Sequence, residues 1–191
     1  HLSLRRQRQM CIRDRIEGHF ILSSGLHSPQ YVQCAQLMSK PNKAIKICES
    51  LASKIKNEFD DFDLILSPAM GGIIIGYELG KILNKQTIFS ERENGEFKLR
   101  RDFKIKKEDK VLIVEDVITT GKSSIECSKL VTLNNANIVG YACIIDRSNG
   151  KSEIKGKIVS QVELNIPTYS KDNLPKELLS IEAIKPGSRN L

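Results

Sequence analysis

Glu115 and Asp116 stand side by side, and Thr119, Thr120, Gly121, Lys122, Ser123 and Ser124 follow a few residues later. Adjacent carboxylates can grip the hydroxyls of a sugar or favour a cationic centre. A small polar turn that opens a helix offers unpaired backbone N–H groups, hydroxyls and the positive end of a helix dipole, which together suit a phosphate. The acids would repel that phosphate, so the two halves fit opposite ends of one ligand, a phosphorylated sugar. Immediately upstream, Val111, Leu112, Ile113 and Val114 form a short apolar run that reads as a strand buried on both faces. On this reading the acids follow at the strand's carboxyl end, where open α/β sheets bind their ligands. Gly121-Lys122-Ser123 also matches the tail of a nucleotide P-loop, but that motif needs a glycine at position 116, which is Asp. Taken alone, the stretch also fits a buried strand with a solvated acidic loop and a helix cap.

The neighbouring elements must bring other groups to the same edge. Ile45, Cys48, Leu51, Ala52 and Ile55 recur at helical spacing and predict a helix over 42–59. A strand is expected over 63–68, followed by Ala69-Met70-Gly71-Gly72 and an apolar helix over 73–83. Paired glycines at a strand-to-helix turn let the backbone come close to an anion. A short strand over 87–90 leads into the charged stretch ERENGEFKLRRDFKIKK, which reads as a solvated hairpin. After the central turn a helix is expected over 122–133, with Ile125, Leu130, Val131 and Leu133 available to the core. A buried strand over 138–146 then ends at Arg147, and a further strand is expected over 157–165. Strands alternating with helices predict an α/β fold with a mostly parallel sheet.

The 191 residues suit one α/β domain with a small accessory region. No apolar run approaches the about 20 residues that a membrane helix needs. The net charge is +7, but Arg5, Arg6, Arg8, Arg13 and Arg15 against Asp14 concentrate +4 of it in the first fifteen residues. The rest is ordinary for a protein with anionic ligands, and nucleic acid is not expected as a partner. Five cysteines, odd in number and without C-x-x-C spacing, argue against a disulfide framework or a metal cluster and fit a reducing cytoplasm. Each reads as a small buried hydrophobe. None of the three histidines lies near the central motif. Residues 1–13 fit no element that follows and are expected to be a foreign or disordered leader.

The strand, the two acids, two variable residues and Thr-Thr-Gly resemble the phosphoribosyl-pyrophosphate signature of type I phosphoribosyltransferases. The segment GHFILSSGLHSPQYVQ, broken into turns around short β-like pieces, resembles the N-terminal hood of orotate phosphoribosyltransferases. The pattern ER-x-x-G-x-x-x-LRR resembles their shorter-loop branch. The resemblance covers about residues 15–191. It implies a single domain over 14–191, with a hood of about 15–40 plus the C-terminal segment and a core of about 42–165. The implied reaction moves phosphoribosyl from 5-phosphoribosyl 1-pyrophosphate to orotate.

The same resemblance implies the site. Glu115 and Asp116 would hold the ribose and Lys98 would assist catalysis. Val117 and Ile118 would bind the donor, and Thr119, Thr120, Gly121, Lys122 and Ser123 would anchor its 5-phosphate. Arg92, Met70 and Gly71 would meet the pyrophosphate, and Thr119, Arg147, Tyr31 and Val32 the orotate. Ser23 stands where many relatives use Lys, and Glu93 follows Arg92 where the common pattern has Lys. Mg²⁺ is expected to bind mainly through substrate oxygens, with no dedicated protein metal site. A homodimer with shared active sites and no membrane partner is expected. Two alternatives stay open: a purine phosphoribosyltransferase, disfavoured by the hood and Arg147, and a regulator of the same fold that binds the donor, supported only by the basic leader.

Overall fold

The computed structural model describes residues 15–22 and 25–185. The expectations for the leader 1–13, for Ser23 and for the tail beyond Lys185 lie outside the described residues. Contacts divide the chain into two compact units, 1–33 with 165–191, and 34–164.

The larger unit is built on a six-stranded sheet. In chain order it contains α1 (Cys34–Met38), α2 (Pro41–Glu58), β3 (Leu64–Pro68), α3 (Gly71–Leu83), β4 (Gln86–Glu93), β5 (Glu96–Leu99), β6 (Lys110–Ile118), α4 (Lys122–Leu133), β7 (Asn137–Asp146) and β8 (Ile158–Glu163). The sheet order is β5-β4-β3-β6-β7-β8. All neighbours run parallel except the β4–β5 hairpin. Every residue of β3 is buried, as are Val111 to Val114 of β6. That is why these strands read as continuous apolar runs: helices cover both faces. On one face Leu64, Leu66, Val111 and Ile113 pack with Cys127 and Val131 of α4. On the other, α3 turns its glycines to the sheet. A Cβ on Gly76 would collide with the Ser67 side chain, and one on Gly80 with that of Thr87.

The sequence reading needs correction in three places. β6 extends to Ile118, so Glu115 and Asp116 lie within the strand, not beyond it. Pairing with β7 continues through Val117↔Ile145 and Ile118↔Asp146, which holds the extended backbone past the acids. In α4, Leu133 is 78% exposed, while Cys127 takes the core position on the inner face. The strand expected over 87–90 runs on to Glu93, because its charged end pairs with β5. The hairpin turns at Asn94-Gly95, both at positive φ (53° and 86°), the combination a tight two-residue turn requires. The four described cysteines are free and buried, as their reading as small hydrophobes anticipated.

The smaller unit is a three-stranded sheet in the order β2-β1-β9, with β1 (Arg15–Ile21), β2 (His27–Val32) and β9 (Ala183–Ile184). β1 pairs antiparallel with β2 and parallel with β9. His27 also bridges to Tyr169, tying the C-terminal segment to β2. The short helix α5 (Lys176–Leu179) precedes β9. His19 Nε2 and His27 Nδ1 are 2.6 Å apart and buried.

Candidate active site

β3, β6 and β7 are adjacent and parallel, so their carboxyl ends share one edge of the larger unit. Three segments leave that edge: 69–71 after β3, 119–121 after β6, and 147–151 after β7.

Side chains alternate across a strand, so the two acids face opposite sides of the sheet. Glu115 turns to α4, where the Ser124 hydroxyl donates to its Oε2 at 2.6 Å. Asp116 lies against the start of α3: a Cβ on Gly71 would sit 2.6 Å from Asp116 Oδ2. Asp116 Oδ1 accepts from the Val117 N–H at 2.9 Å. Burial raises the Asp116 carboxyl above its ordinary range, against the smaller opposing pull of backbone N–H bonds.

The turn after Asp116 is braced from the side. Ile118 O accepts from Arg147 N–H at 2.8 Å, and Thr120 O accepts from Glu153 N–H at 3.0 Å. Gly121 sits at φ 83°, the left-handed region, and a Cβ there would come within 2.6 Å of Ile154. Glycine is therefore required twice over, by backbone conformation and by the approach of Ile154. The turn leads straight into α4. No side chain caps that helix, though Thr120 Oγ1 accepts from Lys122 N–H at 3.3 Å. A helix's first N–H groups have no partner within the helix, so this end is suited to an anion.

Met70, at the N-terminus of α3, is 75% exposed, and Ala69 N–H donates to Ser90 O at 2.8 Å. Arg147 is 4% exposed, deep for a guanidinium. Next to it, Ser148 N–H donates to Asp146 Oδ1 at 2.7 Å and orders the segment after β7.

The candidate cations of the hairpin are matched by acids. Arg92 pairs with Glu126 of α4 and lies 4.1 Å from the Phe97 ring centroid. Lys98 donates to Glu93 at 2.7 Å, and that bond raises the Lys98 ammonium above its ordinary range. Arg101 meets both Glu91 oxygens, at 2.9 and 3.0 Å. Glu115, Asp116, Met70, Gly71, Arg147 and 117–123 thus gather along the strand ends or in the segments leaving them; Arg92, near the carboxyl end of β4, and Lys98, on β5, are paired with Glu126 and Glu93. Tyr31 and Val32 belong to the smaller unit, where Val32 is buried and the Tyr31 ring lies 5.7 Å from Phe20. Among the described residues no three His, Cys, Asp or Glu side chains converge as a metal cluster.

Sequence reasoning missed Ser124 as a partner of Glu115 and Ile154 as the wall beside Gly121. The first had a faint signal, a serine in the first turn of the helix that follows the acids. The second had none, because the contact joins separate segments of chain.

A family model described as Phosphoribosyl transferase domain matches residues 35–173. An orotate phosphoribosyltransferase of Maricaulis maris (strain MCS10) is 45% identical over 177 residues, spanning 92% of this chain and 91% of that protein. One from Parvibaculum lavamentivorans is 46% identical over the same shares. Among solved structures, that of orotate phosphoribosyltransferase from Aeropyrum pernix has a TM-score of 0.70 at 21% identity. It covers 84% of this chain and 93% of its own.

Proposed function

We infer the reaction from kinship: the chain belongs to the orotate phosphoribosyltransferase family. It transfers the phosphoribosyl group of 5-phosphoribosyl 1-pyrophosphate to orotate, giving orotidine 5-monophosphate and pyrophosphate, a step of de novo pyrimidine synthesis. Likeness in sequence across almost the whole chain carries this reading. The purine alternative and the regulator are not favoured; the regulator's only support was the basic leader.

The roles of individual residues follow from their chemistry. As pyrophosphate leaves, positive charge develops on the ribose ring and negative charge on the leaving group. Glu115 and Asp116 take the ribose hydroxyls and favour the cationic ring. The segment 119–123, which Val117 and Ile118 lead into, takes the 5-phosphate on its N–H groups and hydroxyls. Met70 and Gly71 lie along the pyrophosphate, which Arg92 and Lys98 reach by exchanging their acid partners for substrate. Thr119 and Arg147 meet orotate, the guanidinium matching its carboxylate as a planar fork. Tyr31 and Val32 are proposed contacts of the base by family likeness. No covalent intermediate is needed, since positioning and fixed charge do the work. Mg²⁺, when bound with the donor, neutralises charge on the pyrophosphate. The carboxylate oxygens of Glu115 and Asp116 are hard donors that fit a cation held mainly by substrate oxygens and water.

The proposed assembly is a homodimer with shared sites. The proposed setting is the cytoplasm, which free buried cysteines suit. No described helix is long and apolar enough to cross a bilayer. The test is to incubate the protein with donor, Mg²⁺ and a panel of bases and follow pyrophosphate release. Release with orotate and not with adenine, guanine or hypoxanthine is expected. Release with a purine alone would overturn the assignment.

A further inference from the structure

We propose that Ser124 is a positioning residue for donor binding, acting through Glu115; this rests on the transferase reading above. Ser124 is in the first turn of α4 and is completely buried. Gly121, not Ser124, holds the N-cap position of α4. Ser124 makes no cap; its hydroxyl donates to Glu115 Oε2 at 2.6 Å instead. A buried hydroxyl must find an acceptor, and a charged acceptor makes the stronger bond.

Two cysteines lie close enough to Glu115 to feel its charge: Cys127 on α4 and Cys143, its register partner on β7. Burial pushes the Cys127 thiol up to about 12 and the Cys143 thiol well above its ordinary range, so both stay neutral. Arg92 is paired with Glu126. The bond from Ser124 restrains the Glu115 carboxylate at Oε2. Ser124 thereby fixes the orientation that Glu115 offers to the ribose, and it couples that acid to the helix whose N-terminus takes the 5-phosphate. One bond sets the spacing between the two ends of the donor's grip.

The test is a double-mutant cycle of Ser124→Ala and Glu115→Gln, read by calorimetric titration with 5-phosphoribosyl 1-pyrophosphate and Mg²⁺ and by orotate turnover. Ser124→Ala is expected to weaken donor binding about ten-fold, the loss typical of a bond to a charged group, while the KM for orotate moves less than about two-fold. In the Glu115→Gln background the same change should have little further effect, because the acid it serves is gone. Unchanged donor binding in Ser124→Ala overturns the proposal, as do fully multiplicative losses or equal effects on both substrates. Wild-type protein that binds the donor but does not turn over orotate would sink the functional reading alone, and the titrations would still judge Ser124. Wild-type protein that does not bind the donor would overturn both.

Discussion

Asp116 is poised at a cost to the folded chain. Burial raises its carboxyl, so the folded state holds that proton more tightly than the unfolded state does. Stability therefore declines as pH climbs from about 3.9, the ordinary carboxyl value, through the raised one. Above that raised value the ionised group is a liability until substrate arrives. Asp116→Asn is thus expected to raise the Tm of the free protein at pH 7, with the gain fading below about pH 4, where both states are protonated. The same variant should lose about a hundred-fold or more in orotate turnover, as a group aimed at developing charge is removed. Thermal melts across pH, with turnover in parallel, check this; a lower Tm at pH 7 would contradict it. The chemistry of Asp116 was legible from residue type and spacing. Its placement against Gly71 was not, since that contact joins β6 to the start of α3, 45 positions away in sequence.

At the scale of elements, the start of α3 is fitted to the acid. Gly71 lies outside the left-handed region, so alanine would suit its backbone and favour the helix. The added Cβ would nonetheless fall 2.6 Å from Asp116 Oδ2 and push the carboxylate aside. Gly71→Ala should therefore keep or raise the Tm while lowering turnover about a hundred-fold, the penalty for a displacement of about 1 Å. Full turnover would mean that Asp116 need not stay where it lies. Local signals explain which elements the sequence revealed. The polar turn before it marked where α4 starts, and the density of charge after the strand at 87–90 pointed to a solvated hairpin. The end of β6 was misread because acids at a strand end look like a loop until the pairing partner, Ile145 and Asp146 of β7, is known. Leu133 was misplaced because periodicity gives a helix its stripe but not where the sheet beneath it ends.

For the whole molecule, the surplus charge is spread unevenly, and the candidate cations of the hairpin are met by counter-ions on the hairpin itself and on α4. Glu91 holds Arg101, Glu93 holds Lys98, and Glu126 holds Arg92. The Lys98 and Arg101 pairs lie at the surface and are individually weak, so a pyrophosphate can displace them, whereas the Arg92 pair is partly buried. With shared sites in a two-fold dimer, a subunit lacking Asp116 and one lacking Lys98 complement each other. Mixing Asp116→Asn with Lys98→Ala should restore about a quarter of wild-type turnover after random exchange. No recovery despite demonstrated exchange would show that each site is complete within one chain. The fold class could be read from the alternation of strands and helices; the sharing of a hairpin proposed for the dimer is written in no single segment.

The central claim is that the end of β6 grips a phosphoribosyl group between acids and amides. A crystal structure of the protein with 5-phosphoribosyl 1-pyrophosphate and Mg²⁺ tests it most directly. The expected result places the 5-phosphate within hydrogen-bonding distance of N–H groups of 119–123 and the ribose hydroxyls on Glu115 and Asp116. A donor bound elsewhere, with these residues making no contact to it, would contradict the account.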